Sequence, residues 1–588
     1  MKLKYTYYII LALLTMSCED FLDKKPDDSM TMDMVFKNKN EVRKWLSNTY
    51  SYMPDVELDP LHNGEFWSYI SDEGDISAGN GGTGASAINL GNINPNSSWN
   101  GTNNWNKYYK AIRSIHIFLD NVEPIPDQLT QDEVDGMMLE ARFMRAFYYF
   151  LLVRQYGPVP LILEEIPADA DSETMQRPRT PFDEIIDWFD TELSDLAQLL
   201  PNEVEEIWTG QPTKAVALAL RGRILLYAAS PQFNGNSAYA NVKNLDGTTL
   251  FNTTYDVSKW QKAADANKAL IDHAESTGLY KLHKVYDGAG NLDPLASYQD
   301  LFLEHTEEAI FYGKPGSASS HDRSRLPRHA AGYSRVCVTQ EMVDSYFMND
   351  GLTIDASPIY SETGKSTAAD AYTEANTFNM YVNREPRFYA SVTYSGKKWA
   401  VTKKIVDFSL KGKDGSSKNP TTSTTGYLVF KRVNPAYKVN GANPGLRAMH
   451  IRLGEVYLNY AEALNEAVGP DHADVRKYIG MIRERAGLTV DSYYPAGLSK
   501  DEMREHIHHE RKVELAFEGL RYFDIKRWLI AEDIMNNDFH GMKMVGIGDD
   551  FFNRTTFETR VFKPAYYLFP IPQSEIDRNE NLVQNPGW

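Results

Sequence analysis

The sequence is nearly free of cysteine. Its 588 residues include only two, Cys18 and Cys337. If Cys18 serves another purpose, Cys337 is alone and no intrachain disulfide can form. The fold must then be held by packing, and a chain of this length buries a large core without covalent cross-links.

Positive charge is also scarce. Lysine and arginine number 61 against 80 aspartates and glutamates, which gives a net charge of -19. Because binding to phosphate backbones needs a basic face, this balance argues against a nucleic-acid partner. It argues equally against electrostatic adhesion to anionic lipid.

Long apolar runs are missing after residue 18, so no later segment is expected to cross a membrane. The chain opens with Lys2 and Lys4, an apolar stretch from Tyr7 to Leu14, and Ser17-Cys18. This stretch is shorter than the roughly 20 residues that span a bilayer. It predicts a signal peptide over residues 1–17 that is removed on export.

Cys18 stands directly at the predicted cleavage point, where a cysteine indicates a lipid acceptor. Residues 18–30 then form an acidic, proline-containing tether. Several acyl chains would hold the protein stably at a membrane, whereas one binds reversibly. The alternative is an ordinary signal peptide with an incidental cysteine, and Thr15, in place of the usual leucine, leaves that alternative open.

Apolar residues recur at helical spacing through most of the chain. Capping and breaking residues, such as Pro181 before one segment and Gly157-Pro158 after another, suggest where these helices begin and end. The predicted helices are Trp105–Leu119, Met137–Tyr156, Pro181–Leu200, Thr213–Ala229, Lys259–Glu275, His450–Ala467, Ala473–Ala486 and Lys500–Trp528, the last broken near Gly519. Small residues on several of them predict close helix pairing of the kind found in tetratricopeptide hairpins.

Four segments together resemble the SusD/RagB family of outer-membrane nutrient-binding lipoproteins, and the ending Phe569–Pro572 through Gln584–Trp588 is also similar. Each motif is modest by itself, but their order and number make the match specific. The four segments are Cys18–Asp23, Glu140–Phe150 with Tyr156–Leu161, Arg452–Ala463 with Ile482–Leu488, and Glu510–Trp528.

The resemblance implies a mostly α SusD-like fold, with tetratricopeptide-like helical hairpins as scaffold and a large loop-rich remainder with minor β structure. It implies one domain over residues 31–588, with an N-terminal helical part at about 31–280 and a C-terminal part at about 300–588. It further implies a cell-surface lipoprotein of the outer membrane that acts as a lid over a SusC-type TonB-dependent transporter. Such proteins capture oligosaccharides or polysaccharides, occasionally peptides or glycopeptides, and do not cleave them.

The motifs that carry the resemblance are interpreted mainly as scaffold. Glu510, Arg511, Glu514 and Glu518 fall at helical spacing, where i,i+4 pairs form. Ligand contacts must therefore be sought outside the motifs. A surface glycan-cleaving lipoprotein stays a less favoured alternative, because 80 acidic residues give pairs of carboxylates no specificity.

Sugar binding needs flat aromatic faces for the ring and planar polar groups for the hydroxyls. The cluster that best meets this need runs from Trp67 through Asp72 and along the loop onward to Trp99. Tyr333 and Arg335 in the loop before Gln340, and Trp399 in the turn that begins at Tyr394, are further candidates. The candidate ligand-binding residues are Trp67, Asp72, Trp99, Tyr333, Arg335 and Trp399. For Trp67 and Trp99 the competing interpretation is that they cover the helical core, and for Asp72 that it is a turn residue.

No cofactor or metal is predicted as part of the function. Asp287, Asn291 and Asp293 around two glycines resemble a loose calcium loop, so a structural calcium is possible there, although the twelve-residue spacing and final glutamate of an EF-hand are lacking. His506, His509 and Glu510 share a helical face but have no further zinc ligand in evidence.

Overall fold

The structure is a computed structural model. It describes residues 31–55, 66–77, 84–97, 104–167, 169–205, 210–316, 318–417, 422–439, 441, 443 and 446–588. Cys18, the tether and Trp99 lie outside these residues.

Helices dominate the described chain, as predicted. In chain order they are α1 Met32–Phe36, α2 Lys39–Thr49, α3 Gly84–Asn89, α4 Trp105–Asn121, α5 Gln131–Tyr156, α6 Ser172–Met175, α7 Phe182–Leu199, α8 Lys214–Ala229, α9 Ser258–Thr277, α10 Pro294–Asp300, α11 Ala318–Arg325, α12 Gln340–Ser345, α13 Pro386–Ser391, α14 Leu453–Val468, α15 Ala473–Arg485, α16 Lys500–Glu514, α17 Arg521–Arg527, α18 Ala531–Met535 and α19 Gln573–Arg578.

The strands are short and form two-stranded antiparallel pairs. They are β1 Gly74–Ile76, β2 Val285–Tyr286, β3 Leu292–Asp293, β4 Ala309–Gly316, β5 Val336–Val338, β6 Val392–Thr393, β7 Leu428–Val429, β8 Leu446–Arg452, β9 Asp538–Met542 and β10 Arg554–Thr559. The pairs are β1 with β5, β2 with β3, β4 with β8, β6 with β7 and β9 with β10.

The long helices pack against their neighbours in succession: α4 on α5, α7 on α8, α8 on α9, α9 on α14, and α14 on α15. Gly222 of α8 makes one such approach possible, because a Cβ there would lie 2.7 Å from the Asn267 side chain of α9. This succession fits the predicted helical scaffold, while its likeness to tetratricopeptide repeats stays a prediction.

Helix α5 begins earlier than the sequence suggested. The Thr130 hydroxyl accepts from the Glu133 N–H at 3.3 Å, and the Glu133 carboxylate accepts from the Thr130 N–H at 3.1 Å. This reciprocal capping box satisfies two N–H groups at the helix start. The helix therefore starts at Gln131, six residues before the predicted Met137.

Helix α14 begins later than predicted, because His450 and its neighbours belong to a strand. Residues 446–452 pair with β4, and the N–H of Leu453 donates to the Glu308 carbonyl at 2.9 Å. Apolar spacing alone did not distinguish this short strand from the first turn of the helix.

The predicted break near Gly519 is confirmed. Helix α16 ends at Glu514, α17 begins at Arg521, and Phe517 and Gly519 between them have positive φ angles of 59° and 73°. The turn directs Glu514 and Glu518 into the interior rather than along one helical face.

A network of buried charges joins the C-terminal elements. The Glu514 carboxylate accepts from Arg387 of α13 at 2.9 Å, from Arg452 of β8 at 2.7 Å, and from Arg485 of α15. Burial alone would raise the pKa of Glu514, but these three guanidinium charges outweigh it and lower the pKa below its usual range.

The same network extends on both sides of Glu514. Its further carboxylates and cations are Glu308, Glu385, Glu510, Glu518, Lys431 and Arg483, all buried. Glutamates predicted to pair along one helix therefore pair across several elements.

One continuous apolar cluster contains residues from both predicted parts of the domain, such as Phe147 of α5 and Phe523 of α17. Arg223 of α8 adds a polar link between the parts, donating to the Glu455 carboxylate at 2.7 Å and to the His450 carbonyl at 2.5 Å. Within the described chain, no helix combines the length and apolar character that crossing a membrane requires.

We predict that Glu514→Gln lowers the free energy of unfolding by about 3–5 kcal/mol, because it leaves buried guanidinium groups without a full counter-charge. Asp491→Asn is the matched control: Asp491 pairs with Arg476 while its side chain is 84% exposed, so its loss should change stability by at most about 1 kcal/mol. Chemical denaturation of both variants measures the difference. Equal effects would contradict the structural role of the network.

Candidate functional site

The segment from Phe66 to Ser77 is buried throughout and forms a rigid base. It contains a 3-10 turn at Trp67–Ile70 and strand β1, whose pairing with β5 places Ile76 opposite Val336. Gly74 is required there, because a Cβ would lie 2.7 Å from the Cys337 carbonyl oxygen.

Trp67, within this base, is a core residue. Its side chain is 1% exposed, and its ring centroid lies 4.8 Å from that of Phe523 and 5.8 Å from those of Tyr522 and Phe569. Both ring faces are therefore occupied by protein or closed to solvent. The structure supports the core interpretation of Trp67, not contact with a ligand.

Asp72 is likewise buried and committed to protein partners. Arg521 donates to its two carboxylate oxygens at 2.8 and 3.0 Å, and Lys512 lies 2.9 Å away. Burial opposes the charged form, but these cations outweigh it and lower the pKa of Asp72. Asp72 thus anchors the base to α16 and α17 rather than accepting hydroxyl groups from a ligand.

Glu73, next in the chain, has the opposite character. Burial, reinforced by the negative charge of Asp72, raises the pKa of Glu73 to about 8, although one carboxylate oxygen accepts from the Phe517 N–H at 3.1 Å. A neutral carboxyl group at physiological pH follows from that position.

Tyr333 and Arg335 come together at the surface, directly above the base. The Ser77 N–H donates to the Arg335 carbonyl at 2.8 Å, so Arg335 lies beside the end of β1. The guanidinium carbons of Arg323 and Arg335 lie 4.5 and 5.3 Å from the Tyr333 ring centroid. We call Arg323, Tyr333 and Arg335 the Tyr333 surface. All three are half-buried.

Arg323 was not among the residues chosen from the sequence. It lies near the end of α11, ten residues before Tyr333, and the Tyr333 N–H donates to its carbonyl at 2.6 Å. This turn, which no spacing rule predicts, brings the two side chains together.

Trp399 lies in a separate cleft of about 350 Å³. Its side chain is only 2% exposed, so it forms part of the cleft floor, with Phe430 at 5.5 Å between ring centroids. The open aromatic ring is that of Tyr372, which is 37% exposed and stacks on Tyr389 at 4.9 Å. We call this region, lined by Tyr372, Tyr389, Trp399 and Phe430, the Trp399 cleft.

Polar groups edge the Trp399 cleft. Asp370 accepts from the N–H groups of Tyr372 and Thr373 at 2.7 and 2.6 Å, which fixes the loop that carries Tyr372. Lys398 pairs with Glu374 at 3.0 Å. Tyr372 lies two residues after Asp370 in a polar loop. An aromatic residue near a polar one in such a loop is also the pattern that makes Trp99 a candidate, so the sequence could have indicated Tyr372.

The residues considered for metals make other contacts. Asp287 closes the β2–β3 turn by accepting from the N–H groups of Ala289 and Asn291 at 2.9 and 2.8 Å, and Asp293 caps α10. His509 contacts the Tyr493 hydroxyl at 2.9 Å and the Ser345 carbonyl at 2.6 Å. Across the residues with assigned positions, no three His, Cys, Asp or Glu side chains converge on one point.

The fold is a helical scaffold that holds aromatic surfaces on its loops. Comparison with known proteins assigns the chain to a family. The "SusD family" model matches residues 304–588, and a second model, "Starch-binding associating with outer membrane", matches residues 20–226. The two models together span most of the chain, which belongs to the SusD/RagB family.

Individual proteins agree over their whole lengths. SusD-like protein P2 of Formosa agariphila is 24% identical over all of both chains. The solved structure of BT4246 superposes with a TM-score of 0.80 at 23% identity, covering 95% of this chain and 100% of that one. A SusD-like carbohydrate binding protein from Bacteroides fragilis gives 0.71 at 22% identity, covering 93% and 100%. The predicted fold is confirmed.

The raised pKa of Glu73 predicts a pH dependence. A carboxyl group with a pKa of about 8 in the folded protein and an ordinary value near 4.5 when unfolded favours folding at low pH. That contribution is fully present below about pH 4.5 and is lost progressively as the pH rises from there to about 8, at up to about 1.4 kcal/mol per pH unit. Between pH 5 and 9 the melting temperature should therefore fall less for Glu73→Gln than for the wild type.

Glu484→Gln serves as the control for this comparison, since its carboxylate is 66% exposed. Its melting profile should follow that of the wild type. A Glu73→Gln profile that also follows the wild type would show that Glu73 is ionised in the folded protein at neutral pH.

Proposed function

We propose that this protein is a cell-surface lipoprotein that binds an oligosaccharide or polysaccharide and delivers it to a SusC-type TonB-dependent transporter, over which it acts as a lid. The protein captures its ligand and does not cleave it. Family membership supports the class of function, and the carbohydrate-binding relative from Bacteroides fragilis supports a glycan as the ligand.

The Tyr333 surface is the observation that carries this proposal. A tyrosine ring and the planar guanidinium groups over it can pack on the C–H face of a sugar, and the guanidinium N–H groups can donate to the sugar substituents. The Tyr333 N–H donates to the Arg323 carbonyl, and the Arg335 carbonyl accepts from the Ser77 N–H at the end of β1, so the surface is already held in place and little ordering is needed on binding.

The Trp399 cleft offers a second aromatic platform, with Tyr372 as its open ring. Trp99 stays a candidate from the sequence and lies outside the described residues. Cys18 is proposed as the acylated N-terminus of the mature protein and as its membrane anchor.

Truncating the Tyr333 ring should weaken glycan binding. We expect Tyr333→Ala to lose about 1 kcal/mol or more of binding free energy, a loss that is common when an aromatic side chain at an interface is truncated. The measurement is calorimetric titration with a polysaccharide that the wild-type protein binds. Tyr255→Ala is the matched control, because Tyr255 is 57% exposed in the loop before α9 and belongs to neither the Tyr333 surface nor the Trp399 cleft.

The bound polysaccharide is first identified by affinity gel electrophoresis against a panel, with product analysis of each incubation. Sugar release from any polysaccharide would contradict the binding role and favour an enzyme. Unchanged binding by Tyr333→Ala together with lost binding by Tyr372→Ala would move the principal site to the Trp399 cleft.

Removing the predicted lipid acceptor should release the protein from the membrane. Cys18→Ala is expected to appear in the soluble fraction of cells that lack the transporter, because no acyl chain then holds it. Cys337→Ala, which changes a fully buried thiol, should remain in the outer-membrane fraction. Membrane retention of the Cys18 variant would identify a different anchor.

A further inference from the structure

We infer that the glycan bound at the Tyr333 surface is acidic, carrying carboxylate or sulfate groups that pair with Arg323 and Arg335. The inference rests on the proposed glycan-binding function and adds the chemical class of the ligand. It depends on which groups the two arginines contact in the folded chain and on their having no carboxylate partner in the described residues.

Arginines of this protein normally find carboxylates. In the interior, Arg387, Arg452 and Arg485 each contact two or more glutamates. Near the surface, Arg554 pairs with Asp344 and Glu362. An arginine without a carboxylate is less common: the buried Arg179 and Arg384 are examples, and both donate to backbone carbonyl groups instead.

Arg323 and Arg335 are two such exceptions, side by side. Neither makes an ion pair with any residue of the described ranges, and the Nε atom of each is buried there without a hydrogen-bond acceptor. Leaving a buried guanidinium N–H without an acceptor is costly. Both guanidinium groups instead contact the Tyr333 ring, whose face offers a weaker attraction than a carboxylate does.

Carboxylates on the surrounding elements are engaged elsewhere. Asp414 accepts from the His329 N–H at 2.8 Å and contacts its imidazole at 2.9 Å. Asp75 accepts from the Thr424 hydroxyl at 2.8 Å, and Asp322 contacts His321 at 2.7 Å. None of these three carboxylates makes an ion pair with Arg323 or Arg335.

A neighbouring group feels this uncompensated charge. Burial lowers the pKa of the Arg328 guanidinium, and the positive charge of Arg335 lowers it further. Like charges repel one another, and an anion beside Arg335 would offset its charge. A ligand anion would relieve that repulsion, whereas a neutral hydroxyl group would not.

The chemistry of an acidic sugar matches this arrangement. A carboxylate or sulfate accepts two parallel N–H bonds from one guanidinium, and such charge-assisted bonds are about twice as strong as neutral ones. The Tyr333 ring, together with the planar guanidinium groups over it, supplies the flat surface for the sugar itself. Uronic acid residues and sulfate esters share this chemistry, so the test must separate them.

The test measures binding of the purified chain to three polysaccharides: polygalacturonate, which carries carboxylates, ι-carrageenan, which carries sulfate esters, and laminarin, which is neutral. Affinity gels and calorimetry are run at low and high salt. We expect one of the two anionic polysaccharides to bind more tightly than laminarin, with affinity that falls as salt rises. The preferred anion identifies the source of the negative charge.

Variants assign the effect to the named residues. Arg335→Gln and Arg323→Gln should each weaken binding of the anionic polysaccharide by about tenfold or more, and Arg335→Lys should retain part of the affinity because it keeps the charge. Arg578→Gln, which removes one charge from a side chain that is 71% exposed, controls for the change in net charge. Thermal melts establish that each variant is folded.

The outcomes separate this inference from the proposed function. Binding of laminarin alone, unaffected by the arginine variants, would overturn the acidic ligand while keeping the glycan-binding role. Anionic binding that Arg578→Gln weakens as much as Arg335→Gln would also overturn it. Binding of no polysaccharide in a wider panel of anionic and neutral glycans would contradict the proposed function itself.

Discussion

The buried ion network around Glu514 is the interaction on which the rest of the structure depends. Its carboxylate receives three guanidinium groups, from α13, β8 and α15, at the point where α16 ends. Taking so many charges out of water is expensive, and only near-complete pairing compensates for it. Each of these elements therefore has little freedom to move relative to the others.

The turn that follows Glu514 connects the ion network to the buried base below the Tyr333 surface. Phe517 donates its N–H to Glu73, and Arg521 binds Asp72, so the ion network and the buried base share one segment of chain. Above the base, β1 and β5 fix the position of Arg335. The charges of the Glu514 network are paired with one another, whereas Arg323 and Arg335 have no ion pair in the described chain and are available to a ligand.

The sequence predicted much of the scaffold because the signals there are local. Helix α4 was predicted to begin at Trp105 and α15 at Ala473, and both do. Errors arose where a distant partner decides the structure. His450 lies in β8 because β4 pairs with it, and no pattern within its own segment indicates β4.

The candidate site was less accessible for the same reason. Trp67 and Asp72 have the composition of a binding loop, but Phe523 and Arg521, some 450 positions later, bury them. Tyr333 and Arg335 do reach the surface, yet their third partner, Arg323, required the fold to be seen. Side chains that bind ligands obey no helical or strand period, so composition alone cannot separate them from core residues.

A crystal structure of the protein with a bound oligosaccharide from its preferred polysaccharide tests the central claim most directly. We predict a sugar ring against Tyr333, with a carboxylate or sulfate group within hydrogen-bond distance of Arg335 or Arg323. An oligosaccharide bound elsewhere, with the Tyr333 surface empty, would contradict it.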